Sequence, residues 1–183
     1  AGAFENQVRS EKTLAVVLPV ALLLIFLVLY LQFKSVLTTT MVFAGVFVAW
    51  SGGFVMVWLY GQPWFLDFSL VGVPLRELFN IHPINLSVAI WVGFLALFGI
   101  ATDDGVLMAT YMDLTFADHK PQDRAAARQA TIAAATRRVR PALMTSATTI
   151  LALLPILTLT GRGADIMIPM AIPSFGGMVV ALI

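Results

Sequence analysis

Asp103 and Asp104 are adjacent carboxylates in a stretch that is otherwise uncharged from Ile84 to Tyr111. An ionisable side chain at membrane depth costs about 2.5–3.5 kcal/mol to insert, so its presence points to function. A carboxylate that alternates between charged and neutral forms is what a proton relay needs, and two neighbours titrate as a unit. The bland alternative is that the pair caps an interrupted helix or lines a wet end, since Met112 lies only about 13 Å further along. On a helical wheel Asp103 shares a face with Val92, Ala96, Gly99, Val106 and Thr110. Asp104 shares one with Gly93, Leu97, Ile100, Leu107, Met108 and Tyr111. The smaller residues beside Asp103 predict that its face packs into a helix bundle rather than against lipid.

Thr145 and Thr149 are one helical turn apart and share a face. Counted up from Arg140, Thr149 lies at about the depth of Asp103 counted up from Met112. Their hydroxyls are candidates to join the carboxylates in a relay, and equally candidates for plain interhelical hydrogen bonds. Eight methionines offer thioethers that suit Cu(I) and similar soft ions, although methionine is also ordinary membrane filler. His82 and His119 have no metal-ligand spacing, and the absence of cysteine removes thiolate sites, cysteine nucleophiles and disulfides.

Proteolysis is disfavoured. Consecutive aspartates diverge by about 100° on a helix, whereas intramembrane aspartyl proteases need theirs on two facing helices. Gly161-Arg162-Gly163-Ala164-Asp165 has one residue too many for the Gly-x-Gly-Asp motif of those enzymes. No His-Glu-x-x-His and no Gly-x-Ser-x-Gly occurs. The residues therefore offer no enzyme active site, and no bound cofactor is expected.

The elements that hold these residues are apolar spans. Hydrophobic residues make up 60% of the 183 and charged ones 11%, against about 25% charged in a soluble domain. With a mean hydropathy of +0.92 this predicts an all-α polytopic membrane protein in contact with lipid. A net charge of +1 gives no reason to expect nucleic acid. We expect five transmembrane helices over about 13–33, 37–60, 84–112, 141–160 and 166–183, after a polar lead-in at 1–12. Residues 61–83 form an interfacial loop with one short turn near Leu75–Ile81, and 113–140 form a surface helix starting near Pro121. Lys and Arg number seven on the side of 113–140 and four on the other, which places 113–140 in the cytoplasm. The chain starts without methionine and stops inside an apolar stretch, so a piece of a longer polypeptide is expected.

Four segments together are familiar. Gly99-Ile100-Ala101-Thr102-Asp103-Asp104-Gly105-Val106, Arg138-Val139-Arg140-Pro141-Ala142-Leu143-Met144-Thr145, Leu153-Leu154-Pro155-Ile156-Leu157 and Gly176-Gly177-Met178 resemble the resistance-nodulation-division (RND) transporters. The resemblance is to their heavy-metal efflux branch, which includes copper/silver pumps, and it covers nearly the whole chain as helices 8–12 of a subunit. It implies a proton-coupled antiporter of the bacterial inner membrane that exports Cu(I) or Ag(I). It further implies a homotrimer joined to a periplasmic adaptor and an outer-membrane channel, with the N-terminal part of the same subunit completing the membrane domain. The relay glutamate of the copper/silver pump falls on Asp103, and a methionine of its metal path falls on Met167. Two departures stand out: the pump's relay lysine is Ala142 here, and 61–83 is longer than expected. An RND exporter of divalent metals or drugs, or a non-transporting five-span scaffold, are the alternatives.

Overall fold

The computed structural model describes residues 2–70, 72–84, 86–119 and 123–182. Lys120 and Pro121, the expected start of the surface helix, lie outside the described residues. Among the described residues five helices are long and apolar enough to cross a membrane, which agrees with an all-α polytopic membrane protein.

Helix α1 runs from Gly2 to Phe33. The polar lead-in is thus helical, because its sequence of Glu, Gln, Arg and Lys contains no breaker before Pro19. Lys34 then takes a left-handed φ of 49°, and Ser35 caps α2 (Val36–Tyr60) by accepting from the Thr38 amide. After α2, Ser69–Leu70 (β1) pairs antiparallel with Val73–Pro74 (β2), and α3 is a single turn, Leu75–Leu78. Helix α4 spans Val88–His119, α5 spans Arg124–Leu157 and α6 spans Ala164–Ala181.

One expectation needs correcting here. The surface helix at 113–140 and the span from Pro141 are not separate elements, since α5 passes through Pro141 without a break. Proline removes one donor, to the Arg137 carbonyl, and an otherwise strong helix former on its N-terminal side carries the geometry across. Within 113–140, the described residues up to His119 continue α4, and those from Arg124 onward form the N-terminal half of α5.

The core lies where α2, α4 and α6 meet. Ala49, Ile90, Phe94, Leu97 and Met178 are buried together, and rings stack across the α2–α4 seam, with Phe54 and Phe94 centroids 4.5 Å apart. Close approach is set by glycine: a Cβ on Gly52 would lie 2.9 Å from the Gly176 carbonyl of α6. Helix α1 leans on this unit from outside, and its Leu23 and Leu31 are each 63% exposed.

Asn80 ties the 61–87 segment to the bundle. Its side-chain amide donates to the carbonyls of Leu157 (3.4 Å) and Leu159 (3.1 Å), closing the end of α5. Its own φ of 50° suits asparagine better than alanine. We expect Asn80→Ala to cost about 1–2 kcal/mol of local stability, read as faster proteolytic cleavage within 61–87 of the full-length protein. Asn80→Gly, which keeps the backbone conformation but loses both hydrogen bonds, should recover only part of that loss.

Candidate functional site

The middle of α4 carries both aspartates, and the helix aims them into different surroundings. The stripe Ile90, Phe94, Leu97 and Ala101 faces the bundle, and Asp104 continues it. Asp104 is half-buried and lines a recess of about 420 Å³ between α2, α4, α5 and the end of α6, opposite Ala142 and Ser146. The Arg138 guanidinium acts electrostatically on Asp104 and sits 5.5 Å from the centre of the Tyr111 ring, joining α5 to α4.

Asp103 points about a quarter-turn away. It is exposed and lines a second recess, about 400 Å³, between α1 and α4 with Leu29, Gln32 and Thr102. Val92, Ala96 and Gly99 are exposed on the same side. Among the described residues the small-residue face of α4 is thus open, and the face that packs is the one with the larger side chains. The wheel reading weighed residue size and missed that phenylalanine and leucine supply the contact with α2 and α6.

Thr145 and Thr149 do not meet either carboxylate. Their hydroxyls donate to carbonyls of their own helix, those of Pro141 at 3.1 Å and Thr145 at 2.9 Å, and neither residue lines either recess. The reason is local: a threonine hydroxyl inside a helix satisfies itself one turn back unless a better partner is close. The residue of α5 that does face Asp104 is Ser146, which is 6% exposed. Its signal in the sequence is the four-residue series Ala130, Ala134, Arg138, Ala142 and Ser146, of which Ala130, Ala134 and Ser146 are buried.

Met167 lies in the first turn of α6 and is 43% exposed. The Asp104 recess reaches the other end of α6 at Val180, about 20 Å away by helical rise. The two positions therefore form no common site within this chain. Among the described residues no three His, Asp or Glu side chains converge to hold a metal.

The sequence matches the AcrB/AcrD/AcrF family over residues 1–76 and 69–183. It is 34% identical to the cation efflux system protein CusA of Escherichia coli strain K12 over 192 aligned residues, covering 98% of this chain and 16% of that protein. It is 30% identical to the cobalt-zinc-cadmium resistance protein CzcA of Cupriavidus metallidurans, with 97% and 14% covered. Against the nickel and cobalt resistance protein CnrA of the same organism the identity is 29%, with 100% and 14% covered. The chain thus spans only 14–16% of the length of these relatives.

Proposed function

The chain belongs to the AcrB/AcrD/AcrF family, in the heavy-metal branch of the RND transporters, and from that premise we propose that it serves proton-coupled efflux of heavy-metal cations. The observation that carries this reading is Asp103, a carboxylate at mid-helix, exposed in a stripe of small residues. Small residues in membrane helices permit close approach of another helix, and a carboxylate there needs a charged or hydrogen-bonding partner. The N-terminal part of the same subunit supplies that partner. Protonation neutralises Asp103, removes the attraction and changes how α4 packs against it. The packing change is passed on to the domains that bind metal. Thr145 and Thr149 donate to backbone carbonyls of their own helix, so the proposed first step is assigned to Asp103 without them.

The setting we propose is the bacterial inner membrane, with residues 113–140 cytoplasmic and three subunits joined to a periplasmic adaptor and an outer-membrane channel. For cargo we propose Cu(I) or Ag(I), supported by Met167 and by Met170 one turn on, two partly exposed thioethers at the opposite end of α6 from the carboxylates. Divalent cations are the competing cargo, since CzcA and CnrA are named for cobalt, zinc, cadmium and nickel.

Resistance of cells lacking their own pumps, carrying the full-length gene and its partners, separates these. Growth in Cu(I) and Ag(I) but not Zn(II) or Co(II) is the expected result, with Met167→Leu lowering it about ten-fold. Protection against Zn(II) or Co(II) alone would move the cargo to divalent cations and return Met167 to an apolar packing role.

A further inference from the structure

Helix α5 joins two stretches of different chemistry. Its 34 residues rise about 50 Å, well beyond a hydrocarbon core of about 30 Å. From Pro141 to Leu157 it is uncharged, and that part covers about 25 Å. Arg137 and Arg140, at the edge of this apolar part, therefore stand at headgroup level. The charged residues within α5 are all arginines, Arg124, Arg128, Arg137, Arg138 and Arg140, with no carboxylate on the helix to offset them. Arg138 is engaged inside the protein, over the Tyr111 ring and acting on Asp104. Arg137 and Arg140 are exposed.

A shallow groove of about 630 Å³ runs along the same outer face. Thr136 and Arg140 form its polar end, and Val139, Leu143, Met144 and Ala147 its apolar floor. No acidic side chain lines it. Leu143 is 43% and Met144 63% exposed, and Arg137 lies two turns before Met144 on one side of the helix. The Thr136 hydroxyl already donates to the Ile132 carbonyl at 2.7 Å, which leaves the guanidinium as the donor at this end. The groove is thus amphiphilic along its length, a cation followed by about 10 Å of apolar wall from Arg140 to Ala147. A helix of another protein segment seated here would have to bring carboxylates to the membrane boundary. A phospholipid supplies a phosphate and an acyl chain in the order that the groove presents its own groups.

We propose that this face of α5 binds an anionic phospholipid, with its phosphate on Arg140 and Arg137 and one acyl chain along Leu143, Met144 and Ala147. Guanidinium groups take phosphate oxygens in pairs, and basic residues just outside a span attract anionic headgroups. A zwitterionic headgroup brings a cation of its own, so the two arginines favour it less. Because Arg138 on the same turn joins α5 to α4, a lipid held here steadies the α4–α5 pair at the membrane surface. The site uses neither aspartate and does not depend on the proton or cargo readings.

The test titrates the purified full-length transporter in detergent with phosphatidylglycerol, or with phosphatidylcholine of the same chains. Native mass spectrometry counts the lipid retained per subunit. The wild type is expected to hold its tightest phosphatidylglycerol at least ten-fold more strongly than phosphatidylcholine. Arg140→Gln should weaken it about five-fold, and Arg137→Gln with Arg140→Gln about twenty-fold, whereas Arg140→Lys keeps most of the preference. Ala147→Phe fills the apolar end without changing charge and should also lower retention. Arg162→Gln, beyond the other end of α5, should leave it unchanged. In phosphatidylglycerol vesicles, p-benzoylphenylalanine in place of Met144 is expected to give a photo-adduct heavier by one lipid. Equal retention of the two lipids, or undiminished retention in the double variant, overturns the proposal. So does a photo-crosslink from position 144 to the N-terminal part of the same subunit, which would make this face a protein contact. No step here measures proton or metal movement, so its failure is distinct from failure of the transport reading.

Discussion

Asp103→Asn in the full-length transporter is expected to abolish metal resistance, a loss of at least a hundred-fold in export rate, while membrane level and assembly stay normal. Asparagine is nearly the same size and keeps hydrogen-bonding capacity, but it cannot take up and release a proton. The exposed position of Asp103 argues that the fold does not depend on it, since the contacts holding α4 come from Phe94, Leu97 and Ile90 on other faces. Asp103→Glu tests the chemistry further. It retains the titratable group one methylene longer, and partial activity is expected. Export by cells expressing equal amounts of each variant, together with the elution profile of the purified protein, checks both halves of the expectation. Full resistance in Asp103→Asn would remove this carboxylate from the mechanism.

Gly93→Leu should fail in the opposite way, by loss of the protein rather than of its chemistry. The backbone of Gly93 lies against Met170 of α6, so even one added carbon would collide with the Met170 carbonyl. The adjacent Ser174 hydroxyl donates to the Gly93 carbonyl at 3.0 Å, a buried hydrogen bond between α4 and α6. Separating the helices to admit a side chain costs about 1–3 kcal/mol in strain, and stranding Ser174 adds about 1–3 kcal/mol more. A total of a few kcal/mol is comparable to the margin of many folded proteins. We expect membrane levels of full-length Gly93→Leu to fall several-fold, with a lowered melting temperature in detergent. Gly93→Ala should be milder in the same direction. Normal levels with lost transport would mean that α4 and α6 move apart during the cycle and that this contact is functional.

The spans were legible because lipid demands long apolar helices, and long runs of Leu, Val and Ile leave few other readings. The pair Asp103-Asp104 stood out for the same reason, as charge where charge is costly. What the sequence hid was direction. Adjacent residues diverge by about 100°, and which of the two faces inward depends on where Phe94, Leu97 and Phe98 find partners on α2 and α6. That is a property of three helices at once, and the size of the neighbours along one helix does not carry it. Thr145 and Thr149 stand out in the sequence by depth and by sharing a face with each other, but that does not tell whether the face turns toward Asp104, and it is Ser146 that lines the recess. The continuity of α5 was hidden by Pro141, a residue that ends helices in water and is tolerated in membrane helices. The small strands at Ser69–Leu70 and Val73–Pro74 were too short for any periodicity to reveal.

The most direct test of the central claim is proton movement driven by metal. Full-length transporter is reconstituted in vesicles holding a pH-sensitive dye, and a metal gradient is applied without a pH gradient. The account predicts that metal flow drives protons the other way in the wild type, and that Asp103→Asn moves neither. Metal flow with no change in dye signal in the wild type, or proton movement that persists in Asp103→Asn, would contradict it.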